Sequence, residues 1–173
     1  PWRPDSHKRV SGIPGAVHFV GENEEIARNK AAIHNALVST EAGITILSGH
    51  LGFDLSTVNL EGTPENLQVP GLQGLFDAYA ASIDDREATL ADIARHHGTS
   101  VSVPQIVGTA EQIADWMGEF IDTVGGDGFL LSPAYIPGSA EEFCELVVPV
   151  LQQRGRIRTE YLDGTLRDNL LAF

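Results

Sequence analysis

The chain has 173 residues, with 24 acidic side chains against 11 basic ones and a formal net charge of −13. Apolar residues make up 42% and charged residues 20%, which suits one globular domain with a sizeable core and excludes a disordered chain. The acidic balance excludes the clustered Lys and Arg that nucleic acid or an anionic membrane would require; the one dense basic stretch, His7-Lys8-Arg9-Val10, is too short for a footprint.

A lone cysteine, Cys144, rules out an internal disulfide framework and fits a reducing, cytoplasmic setting. No apolar run approaches the ~20 residues of a membrane helix. No charged-then-apolar secretory leader stands at the front. The chain begins at Pro1 and its sole methionine is Met117, so we expect a piece of a longer protein.

In chain order, residues 1–16 read as an irregular lead-in. Val17-His18-Phe19-Val20 is a short strand ending at Gly21. Asn23 caps a helix with Glu24 and Glu25 in its first turn, and Ile26, Ala27, Ile33 and Leu37 form its apolar side. Residues 39–74 are punctuated by Gly and Pro with no persistent period, the pattern of a long mobile cover or binding loop. A helical pattern restarts at Leu75, Phe76 and Tyr79. Another opens at Thr89 with Asp92 and should close at Gly98.

The last third is more legible. Gln105-Ile106-Val107-Gly108 leads into Thr109, which forms a T-x-x-Q capping box with Gln112. Ile113, Met117, Phe120, Ile121 and Val124 make a stripe that ends at Gly125-Gly126. Phe129-Leu130-Leu131 is a short apolar strand. Ser139 with Glu142 reads as a second capping box, followed by the stripe Phe143, Leu146, Val147, Val150 and Leu151. Pro149 inside this helix should kink it or remove a backbone bond. Alternating strands and capped helices place the chain in the α/β class.

The chemical candidates are few. No H-E-x-x-H, H-x-H or C-x-x-C occurs, so no metal site is expected. Adjacent His96 and His97 point about 100° apart on a helix and read as a solvated helix end. His18 and His34 read as satisfied, partly buried side chains, and Cys144 as a small core residue. Asp84-Asp85 and Glu141-Glu142 read as a solvated loop and a helix first turn. His50 stands apart, inside the glycine-punctuated segment where binding groups concentrate. No P-loop, G-x-S-x-G or Rossmann fingerprint is present, and no catalytic constellation can be assembled.

Several motifs resemble one family. Gln105-Ile106-Val107-Gly108-Thr109-Ala110-Glu111-Gln112-Ile113-Ala114-Asp115 resembles the VGTPEQVAD segment of bacterial-luciferase-like flavin monooxygenases. The run from Asp127 through Ser132-Pro133-Ala134-Tyr135 to Gly138 resembles their DGFxxSPAYLPG. Arg158-Thr159-Glu160-Tyr161 with Gly164-Thr165-Leu166-Arg167 is similar to their tail, and Leu47-Ser48-Gly49 with Asp54-Leu55-Ser56 to an insertion. The likeness is to the branch that holds nitrilotriacetate monooxygenase, dibenzothiophene-sulfone monooxygenase and the large subunit of pristinamycin IIA synthase. Two departures stand out. Ala110 replaces the usual Pro, and Val103-Pro104-Gln105 stands where some relatives carry a His, leaving only Gln105 for a polar role.

The resemblance implies the C-terminal portion of a luciferase-like TIM (β/α)8 barrel. Strand seven would lie around Val17, a long insertion or lid at 39–104, and strand eight around Leu130, with 105–173 as the last helix-strand-helix and tail. It implies a two-component enzyme that oxygenates a small organic substrate with O2 and reduced FMN (FMNH2) from a separate flavin reductase. Most flavin contacts would lie in an absent N-terminal half, so catalytic and cofactor residues are not assigned. Pocket-lining roles fall to His50, Gln105, Ser132 and Tyr135; strand C-terminal ends face the active site in such barrels. The chain alone should be inactive and need the missing half or another copy of itself. Two other readings stay open, a non-catalytic acidic interaction domain and a deazaflavin-dependent oxidoreductase on the same barrel.

Overall fold

The computed structural model describes residues 12–64, 67–70, 72–83 and 87–171; His7-Lys8-Arg9-Val10 and Asp84-Asp85 lie outside the described residues. The chain divides into two compact units, one formed by Pro1–Lys30 with Gln105–Phe173 and the other by Ala31–Pro104.

The first unit is built on a parallel sheet. Its strands are β1 (Gly15–Val20), β2 (Gln105–Gly108) and β3 (Leu130–Pro133), in the spatial order β2-β1-β3. β1 pairs Val17 with Gln105 on one side and with Ser132 on the other. It holds the centre and is buried on both faces from Ala16 to Val20, with His18 its one polar side chain. Two strands were expected from the sequence, and the four-residue β2 is the third. In a barrel laid down in chain order β2 would lie between the other two; here both attach to β1.

One face of the sheet is covered by helices. Ala16, Val20 and Ile106 pack against Ile113, Ala114 and Met117 of α5 (Ala110–Val124) and against Phe143, Val147 and Leu151. The Thr109–Gln112 capping box starts α5 as expected, and Gly125, at φ 86°, stops it. The second expected box does not form. Pro137 caps α6 (Gly138–Glu142) two residues earlier, so Ser139 lies inside the helix and is buried. A π-helical turn follows at Phe143–Val147, where the Val148 N–H reaches back to the Phe143 carbonyl. α7 (Val148–Gln153) then opens with Pro149 in its first turn. The wide turn makes room for a ring that would otherwise clash with the preceding turn's carbonyl, and it rotates the stripe: Leu146 and Cys144 are exposed, not buried. The tail ends in α8 (Leu166–Leu171), where buried Asn169 bonds the Leu162 N–H and carbonyl.

The second unit corrects the reading of 39–74 as structureless. Helix α1 (Glu24–Ala36) is capped by Asn23 as expected. Its buried positions are the small Ala27 and Ala31, while Ile26, Ile33 and Leu37 are exposed. Ser39 then caps α2 (Thr40–Leu51), and a 3-10 turn covers Leu55–Thr57. These are followed by α3 (Gln73–Ala81) and α4 (Leu90–Ser100). Leu47, Leu51, Leu55, Phe76 and Ile93 form their common core. Gly43 and Gly98 bring α2 and α4 into close contact: a Cβ on Gly43 would lie 2.3 Å from the Ala94 carbonyl oxygen. Gly98 therefore does not end α4; Val101 does, in the left-handed region.

Candidate functional site

In the first unit the sheet brings two expected residues into one row. Gln105 and Ser132 both pair with Val17, so the three side chains share the face opposite the helix layer. At about 4.8 Å per strand, the outer two are separated by roughly 10 Å. Burial on this face falls off from β1: Phe19 is buried, Gln105 is half-buried and Ser132 is exposed. The Ser132 hydroxyl has no partner among the described residues.

Tyr135 lies just past the C-terminal end of β3. Its ring lies over Gly138, where a Cβ would meet it at 2.7 Å, and its hydroxyl donates to Glu142 Oε2 at 2.9 Å. Burial and then the Glu142 carboxylate hold the phenol above its ordinary pKa. Lys30 of α1 donates to the other Glu142 oxygen at 2.6 Å and to the Val20 carbonyl at 2.8 Å. Beneath, His18 donates from Nε2 to the Ser139 carbonyl at 2.9 Å, and its ring meets that of Phe143 at a tilt of 57° with centroids 4.8 Å apart. Its Nδ1 is buried with no partner among the described residues, and burial lowers its pKa. Sequence reasoning missed Lys30 and Glu142; they stand 112 residues apart, and no local signal could join them.

His50 belongs to the second unit, near the end of α2. It is exposed, yet its Nδ1 lies 2.9 Å from His97 Nε2. His97 is fully buried, which corrects its reading as a solvated helix end. Its signal was present: Leu90, Ile93, Ala94 and His97 follow the i, i+3, i+4, i+7 rule of a buried stripe. Its Nδ1 lies 2.8 Å from Ser102 Oγ and its ring 4.4 Å from that of Tyr79. Burial first, then His50 and His96, lowers the His97 pKa to about 4. His34 is half-buried with Nε2 on the Thr99 carbonyl, as expected. His96 instead lines an open cleft of about 330 Å3 with Asp92, Arg95 and Thr99.

Among the described residues no three His, Cys, Asp or Glu side chains gather as metal ligands, and no helix is long and apolar enough to cross a membrane. A flavin fits here only in part. On the face of Val17, Phe19, Gln105 and Ser132 only Ser132 is exposed, and the Lys30 ammonium is already held by Glu142 and Val20, so the described strand ends offer no free cation for its phosphate.

No family model matches the chain. Comparison with solved structures gives the class. DmoA from Hyphomicrobium sulfonivorans superposes with a TM-score of 0.78 at 24% identity, over 93% of this chain and 34% of that one. A long-chain alkane monooxygenase gives 0.69 at 26% identity, over 91% and 32%. These are luciferase-like TIM-barrel proteins, and the chain holds a partial parallel sheet of that architecture. Dibenzothiophene-sulfone monooxygenase of Rhodococcus erythropolis is 42% identical over 96% of this chain and 37% of its own length. Nitrilotriacetate monooxygenase component A of Aminobacter aminovorans is 33% identical over 95% and 37%. The chain is therefore homologous to a segment of the luciferase-like two-component monooxygenases, spanning little more than a third of the curated relatives it matches.

Proposed function

We propose that this chain forms part of a flavin-dependent monooxygenase in which reduced FMN from a separate reductase and O2 oxygenate a small organic substrate. The observation that carries this reading is the 42% identity to a monooxygenase along 96% of the chain, running through both units. The flavin supplies the oxygen chemistry, and the protein supplies a shaped, water-poor chamber. In the first unit Gln105 and Ser132 contribute polar groups to one wall and Tyr135 stands at the strand ends; His50 is a separate pocket-lining candidate carried by the second unit. The insertion carries the helices α2, α3 and α4 around a core of its own and is not a loop. Reductase, reduced flavin and an exposed thiol at Cys144 all suit the cytoplasm.

The test uses the full-length protein carrying this chain. Oxygenated product should appear when purified flavin reductase, NADH and FMN are supplied together with a panel of organosulfur and aminocarboxylate substrates. Equal turnover with NADH and no reductase would overturn the two-component reading. Replacing His50 with Ala should raise KM or lower kcat/KM at least severalfold.

A further inference from the structure

The geometry points to His97 as the positioning residue of His50: it fixes the ring and the tautomer that His50 presents outward. The inference deepens the pocket role proposed for His50 and takes its functional meaning from it.

Three groups lie in series. Ser102 Oγ is 2.8 Å from His97 Nδ1, and His97 Nε2 is 2.9 Å from His50 Nδ1, with the two rings edge to face at 5.1 Å. His97 is wholly buried, so neither of its ring nitrogens has bulk water as an alternative partner. The titratable groups facing it are His50 from α2, Tyr79 from α3 and its own neighbour His96. None of these is a carboxylate that would favour an imidazolium, so His97 holds one ring proton.

With one proton on each of the two rings, the series has two directions. In one sense the Ser102 hydroxyl donates to His97 Nδ1, His97 Nε2–H donates to His50 Nδ1, and His50 offers an N–H outward. In the other sense every bond reverses and His50 offers a lone pair. His50 cannot change tautomer, or turn its ring, without His97 and Ser102 following.

The far anchor is held under strain. Val101 and Ser102 both adopt positive φ, 54° and 56°, which is unfavourable for residues other than glycine and most of all for a β-branched one. A Gly pair would relieve that strain but remove the hydroxyl that meets His97. The strained turn just past α4 is what brings Ser102 Oγ back onto His97 of that helix.

The experiment is histidine ring-nitrogen NMR on the full chain labelled with 15N-histidine. The expected result is a fixed tautomer for His50, with unequal ring-nitrogen resonances and a coupling across the hydrogen bond to His97. Ser102→Ala should change the His50 tautomer balance although it touches no His50 atom, and His97→Gln should collapse the His50 resonances to the average of a free imidazole. A His50 ring already averaged in the unsubstituted protein, or unmoved by both substitutions, would overturn the inference. Where His97→Gln loses its folded amide spectrum, Ser102→Ala alone decides. Coupling seen by NMR together with full turnover of His50→Ala in the complete enzyme would uphold the positioning role and overturn only the pocket role of His50.

Discussion

At Gly43 a hydrogen stands where any other side chain would meet backbone. An added Cβ would lie 2.3 Å from the Ala94 oxygen and 2.6 Å from its carbonyl carbon, both held in α4. Gly43→Ala must therefore push two helices apart, and we expect it to destabilise the second unit by about 1–3 kcal/mol. An unchanged urea midpoint would contradict this. His97 gives a pH-dependent counterpart. Its pKa is lowered from 6.5 to about 4 in the folded state, so the unfolded chain binds the extra proton between those values. Its stabilising contribution is complete above about pH 6.5 and lost as pH falls toward 4, at up to about 3 kcal/mol. His18 acts in the same direction. Urea midpoints should fall from neutral pH to about pH 5, and His97→Gln should flatten that slope; an equally steep slope in the variant would refute the assignment.

Elements were legible where a cap and a stripe agreed. The Thr109 and Thr89 boxes both form, because the N3 side chain and the cap hydroxyl satisfy each other within one turn and need nothing distant. Thr109→Ala should lower stability by about 1 kcal/mol, read as a lower melting temperature of the first unit. A melting temperature equal to the parent's would show that the cap is compensated elsewhere. Ser139–Glu142 carried the same letters and failed. Pro137 starts the helix earlier, and Glu142 finds a better partner in Lys30, a cation no local window contains. Helix α2 was missed for a related reason. Gly43 and Gly49 read as breakers, yet Gly43 is a contact point and Ser39 caps the helix. Pro149 was read correctly as a disturbance, but its outcome, a π turn that leaves Cys144 outside, depended on how the turn could widen.

For the molecule as a whole, β2 and β3 each have an outer edge unpaired among the described residues, and Leu130, Val124 and Ile136 are well exposed. Unpaired parallel edges and an apolar surface favour association. The 173-residue chain alone should self-associate, as measured by light scattering, and bind FMN only weakly, as measured by fluorescence quenching; a stable monomer with micromolar FMN affinity would contradict both. The α/β class, the α5 boundaries, the strands around Val17 and Leu130, and the likeness to luciferase-like enzymes were all determined by the sequence, since each rests on neighbours a few residues apart or on the order of motifs. The tertiary structure decided the rest. It placed β1 at the centre of the sheet, set Gln105 and Ser132 on one row, joined Lys30 to Glu142, and brought His50 onto His97. Each of these is a pairing between residues far apart in the chain, and burial selects such pairs only after the chain has folded.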